Sequence, residues 1–128
     1  MISIKQAEHI HDTLIERFGG FKGIRDQNAL IAALSRPFQT FDGKELYPSP
    51  LQKAAAVIES ILKNHPFVDG NKRTGYVLMR LLLISNNYDI KADQKDKYNF
   101  VIKIASGKSN FNDIVYWLDH NSYQLNNS

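Results

Sequence analysis

Two apolar stretches of helical character flank one short polar loop, and the chain has room for only one core in which to bury them. Leu51, Ala54, Ala55, Ile58, Ile61 and Leu62 recur at helical spacing, and the run from Tyr76 to Ile84 is apolar almost all round. With 128 residues, 43% of them hydrophobic, the sequence supports a single domain over 1–128. The later run is about half the length of the ~20 residues that a bilayer crossing requires, and it contains Arg80. It therefore predicts a helix at the centre of a bundle, and no membrane partner is expected.

The remaining elements follow the same period. Ile4, Ala7, His11, Leu14 and Phe18 mark a first helix from about Ser3 to Phe18, stopped by Gly19-Gly20. Asp26 can cap a shorter helix with Leu30, Ala33 and Leu34 on its apolar face, ended by Pro37. Between Pro37 and Pro50 the segment is irregular, and Asp42-Gly43 at its centre predicts a tight hairpin, a projecting flap. Asp93 and Asn110 can cap two further helices, one carrying Tyr98, Val101, Ile102 and Ala105, the other Ile114, Val115 and Leu118. The class is all-α, about six helices with a short flap hairpin. Asn121 to Ser128, rich in Asn and Ser, reads as a frayed tail.

Sixteen Lys and Arg against 13 Asp and Glu leave a formal charge of +3, and the basic stretch Lys91–Lys97 is broken by Asp93 and Asp96. No direct nucleic-acid partner is expected from so small an excess. The chain has no Cys, which removes disulfides, thiolate metal sites and cysteine nucleophiles together. The N-terminus MISIKQAEHIHD has neither the basic start nor the apolar run of a secretory signal. These absences together point to a cytoplasmic protein.

Chemistry concentrates between the two apolar stretches, in KNHPFVDGNKRTG. The first N–H groups of a helix lack intrahelical partners and sit at the positive end of its dipole, so Gly70, Asn71, Lys72 and Arg73 can cradle a phosphate. Gly70 allows close approach of the backbone, and Arg73 offers a planar fork for two phosphate oxygens. Asp69 can hold a Mg²⁺ that bridges nucleotide phosphates. Counting along the preceding helix brings His65 onto its inward face, where an imidazole can take the proton of an attacking hydroxyl. The plainer alternatives are that the helix dipole favours His65 at a C-terminus, that Asp69 caps the next helix, and that Lys72 and Arg73 are its solvated first turn. Positive side chains at a helix N-terminus oppose the dipole, which favours a bound anion. Phe67 reads as a core anchor. His9 and His11, two apart on a helix, point in different directions and make a poor metal pair.

HPFVDGNKR resembles the signature H-x-F-x-(D/E)-(G/A)-N-(G/K)-R of Fic/Doc proteins, and its lysine resembles the death-on-curing, or Doc, branch. The similarity extends over roughly Phe21 to Ile90. It implies an α-helical fold in which His65 deprotonates a target hydroxyl, Asp69 binds Mg²⁺, and Gly70, Asn71, Lys72 and Arg73 hold the phosphates of ATP. It further implies that the flap, Phe41, Asp42, Gly43, Lys44, Glu45, Leu46 and Tyr47, aligns the target by strand-type pairing.

AMP-transferring members have Gly at Lys72 and a second Arg where this chain has Tyr76. In the Doc branch the implied reaction is transfer of the γ-phosphate to a protein hydroxyl, with elongation factor Tu as the implied target and arrest of translation as the result. Transfer of AMP is the alternative within the family, and a non-catalytic nucleotide- or partner-binding module is the alternative outside it. The internal inhibitory motif (S/T)-x-x-x-E-(G/N) is not met by Glu8, Glu16, Glu45 or Glu59. A toxin restrained by a separate antitoxin that covers the active site is what the resemblance implies.

Overall fold

The computed structural model describes residues 1–125. Helix α1 (Ile4–Phe18) starts where the Ser3 hydroxyl accepts from the Gln6 N–H and the Gln6 side chain accepts from the Ser3 N–H, a reciprocal capping box. Asp26 caps α2 (Gln27–Ser35), and Pro37 converts its end into a single 3-10 turn over Arg36–Phe38. Ser49 and Gln52 form a second capping box at α3 (Pro50–Asn64), with Pro50 at its first position, where a missing N–H costs nothing. Helix α4 spans Asn71–Ile84, α5 spans Gln94–Ala105 behind Asp93, and α6 spans Phe111–Asn121 behind Asn110. The all-α class and the six helices of the sequence reading are therefore as expected.

The flap is a short antiparallel hairpin of β1 (Thr40–Phe41) and β2 (Lys44–Glu45), with Thr40 opposite Glu45 and Phe41 opposite Lys44. Asp42 and Gly43 lie at φ 53° and 76°, the positive values that a two-residue hairpin turn demands. A second small pair joins β3 (Tyr88–Ile90) to β4 (Ser122–Gln124). Part of the expected frayed tail is thus ordered: Asn121 ends α6 and Ser122–Gln124 pair with β3. Residues 126–128 of that tail lie outside the described residues.

The centre of the bundle is α3, not α4 as the apolar run suggested. Every side chain from Ala54 to Leu62 is buried, and α3 meets all five other helices except α1 in extensive contact. The two polar groups in that stretch are satisfied: Glu59 pairs with Arg36 at 2.9 Å and Lys63 at 3.4 Å, and the Ser60 hydroxyl accepts from Arg36. Helix α4 instead exposes Arg80, Leu81 and Ile84 on one side. Its other side presses closely on α3 at Gly75, where an added Cβ would come within 2.5 Å of Leu62.

Two apolar faces also differ from expectation. Helix α1 buries Ala7, His11 and Ile15, whereas Phe18 is 52% exposed. Helix α5 buries Phe100 and Ile104, and turns Tyr98 outward. A stacked Phe100–Trp117 pair, centroids 3.9 Å apart, supplies the α5–α6 contact in its place.

Candidate active site

The loop between α3 and α4 begins with a sharp break. Helix α3 ends at Asn64, and His65 caps it in the left-handed conformation (φ 47°, ψ 60°) with its N–H still donating to Ile61 at 3.1 Å. Its side chain is exposed and does not lie on the inward face of α3. The helical count fails here because the chain leaves the helix one residue earlier than the count requires. Arg25 completes the cap: Nε donates to the His65 carbonyl at 2.7 Å and Nη2 to the Asn64 carbonyl at 2.6 Å. A guanidinium on the last carbonyls of a helix also meets the negative end of its dipole.

Main-chain bonds then tie the loop to the segment before α2. The N–H groups of Arg25 and Asp26 donate to the Pro66 carbonyl at 2.7 and 3.0 Å, and Val68 donates to the Gly23 carbonyl at 3.0 Å. Phe67 between them is buried, contributing roughly 2–3 kcal/mol by removal of its ring from water. The ring stacks on His11, centroids 4.0 Å apart and planes within 6°.

Asn71 closes the loop. Its Oδ1 accepts from the Phe67 N–H and its Nδ2 donates to the Phe67 carbonyl, both at 3.0 Å. The side-chain amide of Asn71 is thus occupied in folding the loop, and its main-chain N–H is what it offers to an anion.

Gly70 caps α4 at φ 71° and ψ 22°, and no side chain bonds to the first-turn N–H groups. Asp69 does not act as the cap: its Oδ1 accepts from the Gly70 N–H at 2.9 Å and its Oδ2 from the Phe21 N–H at 3.3 Å. An uncapped helix N-terminus with Lys72 and Arg73 on its first turn is a site built for negative charge.

Asp69, Gly70, Asn71, Lys72 and Arg73 share the wall of one cavity of about 470 Å³, closed on the opposite side by Gln94, Lys97, Tyr98 and Val101 of α5. Tyr76 forms part of the floor, and burial raises its phenol above the ordinary value, so it stays neutral. His65 and the flap residues are not in this wall. The flap stands exposed from Phe41 to Leu46 and is anchored at its base, where Lys53 donates to Glu45 at 2.9 Å and to the Tyr47 carbonyl.

Sequence reasoning missed four contributors: His11, Phe18, Arg25 and the α5 wall. Only His11 left a readable signal, a polar side chain in phase with Ala7 on an otherwise apolar face. Among the described residues no group of three or more His, Cys, Asp or Glu side chains is placed to hold a metal ion. One carboxylate beside an anion nest fits Mg²⁺ nevertheless, since that ion takes most of its ligands from phosphates and water.

Residues 1–83 match the sequence pattern of the Fic/DOC family. The chain belongs to that family. Its helical bundle is accordingly a Fic-type fold, with the signature loop between α3 and α4. Toxin Doc of Mycolicibacterium smegmatis is 42% identical over 76 residues, covering 59% of this chain and 58% of that protein. Protein adenylyltransferase Fic of Drosophila willistoni is 33% identical over 81 residues, 59% of this chain and 16% of the relative. The Drosophila melanogaster protein of the same name is 38% identical over 60 residues, 44% and 12%. The chain spans less than two thirds of the length of these Fic/DOC relatives. Among the described residues no helix is long and apolar enough to cross a membrane.

Proposed function

We propose that this Fic/DOC chain is a cytoplasmic toxin that transfers the γ-phosphate of ATP to a Ser or Thr hydroxyl of a protein, with elongation factor Tu as the target and arrest of translation as the effect. The observation that carries the reading is the uncapped N-terminus of α4, with Lys72, Arg73 and Asp69 around it in a single cavity. The similarity to Toxin Doc supports the Doc branch and, with it, a separate antitoxin.

In this mechanism the triphosphate lies on the N–H groups of Asn71, Lys72 and Arg73, and Arg73 grips two of its oxygens. Asp69 would hold Mg²⁺, which would supply charge neutralisation to the phosphates. His65, exposed beside the loop, takes the proton of the target hydroxyl. The hydroxyl oxygen bonds to the γ-phosphorus, the bond from that phosphorus to the β–γ bridging oxygen breaks, and ADP leaves. The exposed flap, Phe41 to Tyr47, pairs with the target segment and brings its hydroxyl to His65.

Lys72 and the neutral Tyr76 decide which phosphorus is presented. A lysine at the nest and no second guanidinium hold the triphosphate differently from a Gly and an Arg, so the γ-phosphorus is the one in line. Transfer of AMP is the second reading, favoured by the similarity to proteins named adenylyltransferases.

The test is incubation with Mg²⁺, elongation factor Tu and ATP labelled at either the α- or the γ-phosphorus. Label from γ alone on the target is the expected result. Label from α would establish AMP transfer instead, and no transfer by a nucleotide-binding chain would favour the binding-module alternative.

A further inference from the structure

His11 is fully buried, with 0% of its surface exposed, and takes no part in the mechanism above. It comes from α1, far in sequence from the loop, and its Nε2 lies 2.7 Å from the Asp69 carbonyl oxygen. A carbonyl only accepts, so Nε2 carries a proton. The other nitrogen, Nδ1, is buried without a hydrogen-bond partner, Asp12 being 3.8 Å away. The ring is therefore packed for one bond, and its face rests on Phe67.

That bond fixes a peptide plane. In a trans peptide the C=O and the following N–H point in opposite directions. Holding the Asp69 carbonyl toward His11 turns the Gly70 N–H away from the imidazole, and it meets the Asp69 carboxylate at 2.9 Å. The same orientation gives Gly70 its positive φ of 71° and begins α4 with its free N–H groups on the cavity. A flipped peptide would offer the negative end of the carbonyl to an anion and take the N–H away from Asp69.

We propose that His11 is a positioning residue: its Nε2–H locks the Asp69–Gly70 peptide in the orientation that makes the start of α4 an anion nest. The inference rests on the reading of that turn as the phosphate site, and its tests separate the two.

The first measurement needs no ligand. Imidazole ¹⁵N shifts of the wild-type chain are expected to report a protonated Nε2 and an unprotonated Nδ1 for His11; the opposite tautomer overturns the proposal. The second uses His11→Phe, which keeps a flat ring on Phe67 and loses the donor, and His11→Gln, whose amide N–H can reach the same carbonyl. In His11→Phe the Gly70 amide resonance is expected to move and the affinity for Mg·ADP to fall tenfold or more, while His11→Gln stays within about threefold of wild type. Equal affinity of the Phe variant, or equal loss in both variants, refutes a role for the donor. If His11→Phe does not fold, the Gln variant and the tautomer decide. If the wild-type chain itself does not bind Mg·ADP, the nucleotide site is wrong, and the tautomer and the Gly70 amide shift still judge the lock.

Discussion

The guanidinium carbon of Arg73 lies 4.0 Å from the centroid of the Phe18 ring, so the last aromatic of α1 forms a seat for a cation of the α4 nest. Phe18 is half exposed and Arg73 also lines the cavity. The ring thus holds Arg73 at the rim before any ligand arrives, which saves part of the side-chain entropy that binding would otherwise lose. An exposed cation–π contact is worth about 0.5–1 kcal/mol. Phe18→Leu is expected to weaken Mg·ADP binding about two- to fivefold with the melting temperature almost unchanged. Titration calorimetry checks this, and unaltered affinity would mean that the ring does not preorganise Arg73.

In the proposed mechanism His65 is both the base and a strained position of the backbone. A side chain in the left-handed region costs roughly 1–2 kcal/mol that glycine does not incur, and helices commonly end with glycine in this conformation. His65→Gly is expected to raise stability by about 1 kcal/mol while lowering the transfer rate a hundred- to ten-thousandfold. His65→Ala should lose the same activity without the gain. Denaturant melts beside the labelled-ATP assay separate the two effects, and a fully active Gly variant would end the assignment of His65 as base.

Asn71→Ala is expected to damage the fold as well as binding. It removes both bonds to Phe67 and leaves that residue's main-chain groups short of partners, a loss of about 1–3 kcal/mol. Thermal unfolding of the ligand-free variant gives the answer. A wild-type melting temperature would mean that the loop holds itself without the clamp.

The Arg80–Asp89 pair, bonded at 2.8 and 3.0 Å, joins α4 to β3. Arg80 holds the Asp89 carboxyl below its ordinary value, despite partial burial acting in the opposite direction. A depressed carboxylate stabilises the fold above its unfolded-state value, and that contribution is lost as pH falls through the folded-state value. Asp89→Asn should therefore cost up to about 1 kcal/mol at neutral pH, Arg80 being half exposed. The gap between variant and wild type should close as pH falls below about 4. A gap that persists in acid would assign the loss to packing.

Local patterns carried most of the fold. Asp26, Asp93 and Asn110 all cap helices as their positions predict, the first helix starts just behind Ser3, and Asp42-Gly43 makes the hairpin, because each signal acts within a few residues. Which helix lies at the centre was not legible: the small Ala54, Ala55 and Ala56 let α3 be surrounded, whereas Leu81 and Ile84 remain partly in water. Asp69 to Arg73 do share one cavity, as adjacency in sequence makes easy. His11, Arg25 and Phe18 escaped notice because their partners lie beyond the reach of any local period.

The bonds from the loop to Gly23, Arg25 and Asp26 run largely through main-chain atoms, which every residue except proline supplies on both sides. Such stitching is indifferent to spelling. Apart from Gly23 at φ 121°, the Arg25 guanidinium on the end of α3 and the Asp26 cap of α2, the strip can exchange side chains while its amides and carbonyls keep the loop in place. A scan for the family signature will therefore find the loop and overlook its brace. Anyone transplanting His65–Arg73 into another scaffold must carry that anonymous strip along with it.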